Sequence, residues 1–62
     1  MTKRIISKLT ERLNRNLKQQ ELEAFKLTRT PSAYQLILDY VSNANKSVVE
    51  LEVYVAFIIN ES

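Results

Sequence analysis

The chain has no cysteine, no histidine and no glycine, and it has a single proline, Pro31. Without cysteine it has no disulfides, and without cysteine and histidine it lacks the usual zinc ligands. Because a chain of 62 residues buries only about 60% of its unfolded surface, a lone monomer would be marginally stable. The remaining route to stability is association, so we expect a homodimer or a complex with another protein.

The same absences argue against catalysis. No histidine or cysteine is present to act as base, nucleophile or metal ligand, and no glycine-rich phosphate loop can form. The neighbouring carboxylates Glu21 and Glu23 diverge on a helix and do not make a catalytic pair. We therefore predict a protein that is not an enzyme and that binds neither a metal nor a cofactor.

Long apolar runs are also missing. The longest, residues 53–59, is too short to cross a bilayer, and no signal peptide is recognisable after the first methionine. The first helix is basic and amphipathic, but its leucines are needed for the core, so we do not expect membrane binding. The prediction is a cytoplasmic location.

Charge is distributed unevenly along the chain. Residues 1–30 hold eight Lys and Arg and three Asp and Glu, a net charge of +5, whereas residues 31–62 hold one and four, a net charge of −3. A basic half favours a polyanion or an acidic protein surface as its partner. The alternative is that the basic half pairs with the acidic half of a second copy.

The first segment, about residues 2–27, is predicted to be a basic amphipathic helix. Advancing about 100° per residue, its apolar side chains form one stripe and its basic side chains a neighbouring one. The apolar stripe comprises Ile6, Leu9, Leu13, Leu17, Ala24 and Leu27, with Ile5 at its edge. Basic side chains in such a row neutralise phosphates and release counterions, so they predict binding to nucleic acid. The predicted contacts are Lys3, Arg4, Lys8, Arg12, Arg15, Lys18, Arg29 and Thr30.

Two apolar residues of this segment, Leu22 and Phe25, lie nearly opposite the apolar stripe. Either the helix bends around residues 14–16, or these two side chains face a second partner. Packing on the next helix of the same chain is the simpler interpretation. If they face a partner, they would act with Tyr54 and Phe57 as anchors of a protein interface, because aromatic anchors carry much of an interface's energy.

The second segment, about residues 31–44, is predicted to be a core-facing helix. Proline is favoured at the first helical position, which makes Pro31 the start and Thr30 the N-cap. The apolar residues then recur at helical spacing along the segment. We expect the helix to stop within residues 43–46, where asparagines would take left-handed positions in place of glycine.

The third segment, about residues 47–60, allows two interpretations. Ser47 followed by Glu50 fits a capping box and favours a helix. Apolar residues at every second position from Val49 to Ile59, many of them β-branched, favour a strand. We favour the helix, because a strand needs a neighbouring strand and the chain offers few. In either form the segment is too apolar to stay exposed.

Two stretches resemble ribbon-helix-helix DNA-binding proteins. In "KRIISKLTERLNRNL", residues 3–17, a basic segment is followed by Thr-Glu. This is similar to the point in that family at which the basic strand ends and the first helix begins. In "LTRTPSAYQLILDY", residues 27–40, the turn and the start of the helix resemble the family's second helix. The resemblance covers about forty residues.

This resemblance implies a strand over residues 4–9 that pairs with its copy in a dimer and lies in the major groove of DNA. Arg4, Ile6 and Lys8 would then face the bases, and Thr30 would anchor a phosphate at the N-terminus of the second helix. The continuous apolar stripe favours a helix over residues 4–9, so the ribbon is the alternative.

These patterns predict an all-α domain of three helices over residues 1–62, of the helix-turn-helix type and homodimeric. The predicted function is that of a small regulator that binds DNA through its basic N-terminal face, as a repressor does. The alternative is a protein-binding adapter or inhibitor, antitoxin-like or a phage-type regulator, that acts through an apolar helical surface.

Overall fold

The computed structural model describes residues 2–61, which form four helices and no strand. The helices are α1 (Thr2–Leu13), α2 (Gln19–Lys26), α3 (Pro31–Ser42) and α4 (Val48–Glu61). The all-α prediction is confirmed, but the number of helices is wrong, because the predicted first helix is two helices. Residues 4–9 lie inside α1, so the structure does not support the ribbon of the alternative fold.

The first predicted helix is interrupted at Asn14. This residue has φ of 55° and is the one residue of the described chain with a positive φ. Asparagine tolerates the left-handed conformation better than most residues, and such a residue ends a helix. Helix α2 begins only at Gln19. At its N-terminus the backbone N–H of Lys18 donates a hydrogen bond to the carboxylate of Glu21 at 2.7 Å. Leu22 and Phe25 do not follow the apolar stripe of the first segment, because they belong to α2 and not to α1.

The start of α3 is as predicted. Pro31 occupies its first turn, and the hydroxyl oxygen of Thr30 accepts a hydrogen bond from the backbone N–H of Ala33 at 3.2 Å. The end of α3 differs from the prediction, because Asn43 has φ of −71° and is not left-handed. Its side chain instead accepts a hydrogen bond from the backbone N–H of Asn45 at 2.9 Å, which forms a tight turn before α4.

The third segment is a helix, and the strand alternative is wrong. Both halves of the predicted capping box form. The backbone N–H of Glu50 donates to the hydroxyl of Ser47 at 3.1 Å, and the backbone N–H of Ser47 donates to the carboxylate of Glu50 at 3.3 Å. The inward side chains Leu51, Val55 and Ile58 follow helical spacing and are buried.

Helix α1 lies at the centre of the fold and packs against each of the other three helices, while α2 also packs against α4. Its inward side chains are Ile5, Leu9 and Leu13, so Ile5 is at the centre of the stripe rather than its edge, and Ile6 is only partly buried. The rest of the core is Leu17, Ala24, Phe25, Ile37, Leu38, Val41, Leu51, Val55 and Ile58. Tyr40 of α3 stacks on Tyr54 of α4, with ring centroids 4.0 Å apart.

Candidate nucleic-acid interface and the exposed apolar face

Arg12, predicted to contact nucleic acid, fixes the connection between α3 and α4. Its guanidinium donates to the backbone carbonyl oxygens of Val41 and Asn43, each at 2.9 Å, and of Lys46 at 2.6 Å. A cation at the C-terminal end of a helix also interacts favourably with the helix dipole. Arg12 therefore satisfies carbonyl groups at the end of α3 and just before α4, and both of its terminal nitrogens are engaged within the fold.

Arg15 joins three parts of the fold. It follows the left-handed Asn14, and its guanidinium donates to both carboxylate oxygens of Glu21, at 2.9 and 3.0 Å. It also donates to both carboxylate oxygens of Glu52 on α4, at 3.1 and 2.6 Å. Because a guanidinium presents a planar fork of donors, it can bind two carboxylates at once, each through two hydrogen bonds.

The charges of this cluster are strongly stabilised. Hydrogen bonds from Arg15 lower the pKa of Glu21 and the pKa of Glu52. The same hydrogen bonds raise the pKa of Arg15, the one to Glu52 having the larger effect and the one to Glu21 the smaller. Glu21 is the one buried charged residue among residues 2–61. Arg15 thus compensates the buried carboxylate and is not available to a phosphate without leaving it unpaired.

Arg29 and Thr30 fix the corner between α2 and α3. The guanidinium of Arg29 donates to the carbonyl oxygens of Ala24, Phe25 and Leu27, at 2.7, 3.3 and 3.2 Å. These carbonyl groups lie at the C-terminal end of α2, where no further helical turn is available to bind them. Arg29 therefore caps α2 just as Thr30 caps α3.

Tyr34 completes this corner from the first turn of α3. Its hydroxyl donates to the carbonyl oxygen of Leu27 at 3.2 Å and accepts from the backbone N–H of Arg29 at 3.3 Å. The four-residue turn, residues 27–30, is therefore held to both helices that it joins.

The other predicted nucleic-acid contacts lie on the surface. Lys3 and Arg4 are exposed on the outward side of α1, and Lys18 is exposed at the start of α2. Lys8 is partly buried and lies 3.7 Å from the carboxylate of Glu11. Of the predicted basic contacts, Lys3, Arg4 and Lys18 are therefore exposed, whereas Arg12, Arg15 and Arg29 are bound to groups of the fold.

The four predicted protein-interface residues fall in different environments. Phe25 is fully buried and Leu22 packs against the core, which agrees with the simpler interpretation of these two residues. Tyr54 is partly buried in its stack with Tyr40, and burial raises the pKa of its hydroxyl. Phe57 is 56% exposed. Of the four, only Phe57 is more than half exposed to solvent.

Phe57 belongs to a larger exposed face that was not predicted. Val49 and Val53 are 72% and 65% exposed, and both lie on the same side of α4 as Phe57, at intervals of four residues. The helical register places two further exposed residues beside them, and we call the set the α4 stripe. It comprises Val49, Val53, Ala56, Phe57 and Asn60. The sequence contained a signal for this exposed face. Apolar residues at every second position fall on both the inward and the outward side of a helix, so one apolar side is left uncovered.

Within residues 2–61, no three Asp or Glu side chains are grouped so that they could hold a metal ion. The helices of the same range all fall short of the length and apolar content that a membrane span requires. No protein-family model, no curated protein and no solved structure matches this chain.

Proposed function

We propose that this chain is a non-enzymatic DNA-binding regulator in which α2, the following turn and α3 act as a helix-turn-helix. The observation that carries the proposal is the four-residue turn, residues 27–30, held rigidly to both helices by Arg29, Tyr34 and Thr30. In helix-turn-helix proteins a turn of about three to four residues joins the two helices. The first helix crosses the DNA backbone, and the N-terminal residues of the second contact base edges in the major groove.

The outward side of α3 fits the second helix of such a motif. Ser32 and Gln35 are exposed near its N-terminus, and a glutamine amide can bind adenine through two hydrogen bonds. The amide of Gln35 now donates to the carboxylate of Asp39 at 2.7 Å, so it is already directed along the exposed side of the helix. Thr30 uses its hydroxyl oxygen as a cap and has its hydroxyl hydrogen left to donate to a phosphate.

Attraction to phosphates would come from outside α3, which has no Lys or Arg. Lys18 and Lys26 are exposed at the two ends of α2, the helix expected to cross the backbone. Lys3 and Arg4 add two exposed cations on α1. Arg12, Arg15 and Arg29 act on DNA only indirectly in this proposal, because they hold the helices in place.

Duplex DNA of mixed sequence should bind the wild-type chain at low salt, with an affinity that falls steeply as salt is added. Replacing both Lys18 and Lys26 with glutamine should lower the slope of log K against log salt by about one for each phosphate that is no longer neutralised. Replacing Lys3 and Arg4 in the same way should have the same effect if α1 also contacts the backbone. Fluorescence anisotropy with a labelled duplex, at a series of salt concentrations, measures both slopes.

Lys46→Gln is the matched control for these variants. Lys46 is partly buried between α3 and α4, where it lies 3.7 Å from Glu50 and over the ring of Tyr40. The substitution removes one positive charge at a distance from the proposed contacts, so the slope should not change. Absence of any binding by the wild-type chain at the lowest salt would overturn the proposal, since affinity driven by phosphates is strongest there.

A second candidate function, a protein-binding adapter or inhibitor, is favoured by the exposure of Phe57. An exposed aromatic side chain within an apolar stripe is the type of residue that anchors a protein interface. If a different protein binds here, Phe57→Asp should abolish its capture by immobilised protein and leave the circular dichroism spectrum unchanged. Phe57→Tyr keeps the ring and should retain the partner. Capture that survives Phe57→Asp would exclude this surface.

A further inference from the structure

The outward side of α4 is apolar although this helix lies at the surface. Its inward side is buried in the core, while Val49, Val53 and Phe57 are exposed over more than half of their area. A surface helix usually has polar side chains opposite its buried side, so apolar side chains on both sides of α4 indicate that both sides are covered. We infer that the α4 stripe is the surface through which two copies of this chain form an antiparallel homodimer.

The shape of the stripe suits contact with another helix. Val49, Val53 and Phe57 are spaced by four residues and form one ridge along α4, with the smaller Ala56 and Asn60 beside it. A ridge of this spacing packs into the groove of a second helix. No charged residue lies within the stripe, and the carboxylate of Glu52 at its edge is bound to Arg15. Glu50 lies at the other edge, where its carboxylate is 3.7 Å from the ammonium group of Lys46, so both carboxylates at the edges of the stripe already have a cation as partner.

The charges at the two ends of α4 select the antiparallel orientation. Lys46 precedes the helix and Glu61 is its last residue, so each charge lies at the end of the helix dipole that disfavours it. In an antiparallel pair, Glu61 of one copy lies near the N-terminus of the other α4 and near its Lys46. Glu61 then gains an opposite charge and Lys46 gains a second carboxylate beside that of Glu50, whereas a parallel pair would set like charges side by side.

The same arrangement makes the stripe complementary to itself. If the twofold axis passes at Val53, Val49 of one copy lies opposite Phe57 of the other, which sets a small side chain against a large one at both ends. Self-complementarity of this kind favours a second copy over an unrelated protein.

Sedimentation velocity over a concentration series tests the dimer. The wild-type chain should show a monomer–dimer equilibrium. Val53→Glu places two carboxylates against each other at the twofold axis, which should raise the dissociation constant by about hundredfold or more. Because Val53 is mostly exposed, the circular dichroism spectrum of the variant should keep its helical signal.

Val48→Glu is the matched control, since it makes the same substitution at another valine of the same helix. Val48 is about half exposed and lies about 140° around the helix from Val53. The control should dimerise like the wild type. A wild-type chain that is monomeric at millimolar concentration would overturn the inference, as would a Val53→Glu variant that dimerises as well as Val48→Glu.

Charge reversal tests the orientation. Lys46→Glu and Glu61→Lys, each alone, should weaken the dimer by about two- to thirtyfold, because the twofold symmetry removes two exposed ion pairs at once. The two changes together should restore the affinity, because the pair across the interface is re-formed with its signs exchanged. Additive losses in the double variant would overturn the antiparallel arrangement. Capture of a different protein by a monomeric wild-type chain would overturn the dimer and favour the adapter.

Discussion

Replacing Phe25 with alanine is expected to lower the free energy of unfolding by about 3–5 kcal/mol. Phe25 has no exposed area and is the largest fully buried side chain among residues 2–61. The substitution removes its apolar packing and leaves a cavity between α2 and its neighbours that the helices can close only in part. Since a domain is stabilised by only about 0.05–0.15 kcal/mol per residue, this loss takes much of the stability of a 62-residue chain.

Urea unfolding followed by circular dichroism, at one fixed protein concentration, measures the loss. Phe57→Ala is the matched control, because it removes the same ring from a mostly exposed position and should cost less than about 1 kcal/mol in the monomer. If the two variants lost equal amounts of unfolding free energy, Phe25 would not be packed in the core. For the same reason Phe25→Asp cannot test partner binding, since a buried carboxylate would unfold the chain.

The parts of the fold that the sequence predicted correctly depend on residues a few positions apart. Thr30 caps the helix that Pro31 begins, and Ser47 forms its capping box with Glu50. Each of these signals is complete within four residues, because the hydrogen bonds at a helix N-terminus join positions in one turn. Two of the four helix starts could therefore be predicted from short motifs alone.

The break between α1 and α2 could not be predicted in this way. Leu17 and Ala24 extend the apolar stripe of α1 by their numbering, yet they reach the core from beyond Asn14. Two segments that pack on one core can continue a helical period by coincidence, and the period then conceals a turn. The left-handed Asn14 that ends α1 has only a modest preference for that conformation, so it gives a weak signal compared with a glycine.

The roles of the arginines depend on groups that are distant in the sequence. Arg12 binds carbonyl oxygens 29–34 residues further along the chain, and Arg15 binds Glu52 37 residues away. A guanidinium offers the same donors to a phosphate, a carboxylate or a carbonyl oxygen. A basic row on a helix therefore predicts where hydrogen-bond donors lie. Which groups accept those hydrogen bonds depends on the tertiary structure.

Replacing Arg15 with methionine is expected to lower the free energy of unfolding by about 2–3 kcal/mol at neutral pH. The variant lacks the hydrogen bonds between charged groups, and it leaves the buried carboxylate of Glu21 without its cation. Methionine keeps much of the length and apolar character of the arginine side chain, so the loss of stability reports mainly on the ion pairs. Urea unfolding at one protein concentration measures it.

Arg15→Lys is the control for charge. It keeps the positive charge but cannot bind Glu21 and Glu52 at once through paired hydrogen bonds, so its stability should lie between those of the wild type and Arg15→Met. If Arg15→Lys were as stable as the wild type, charge alone would account for the cluster. If Arg15→Met were as stable, the ion pairs would contribute nothing, as is common for fully exposed pairs.

The pH dependence of stability separates the ion pairs from packing. Hydrogen bonds from Arg15 lower the pKa of Glu21 in the folded chain below its ordinary value of 4.5. A group whose pKa is lowered by folding adds stability above its unfolded pKa and loses it as the pH falls through the folded pKa. The wild type should therefore lose stability as the pH falls below 4.5. The difference in the free energy of unfolding between the wild type and Arg15→Met should become smaller over the same pH range, because Glu21 becomes protonated in both. A difference in the free energy of unfolding that stays constant from neutral pH to below the folded pKa of Glu21 would mean that the carboxylate partners of Arg15 do not account for the stability that it adds.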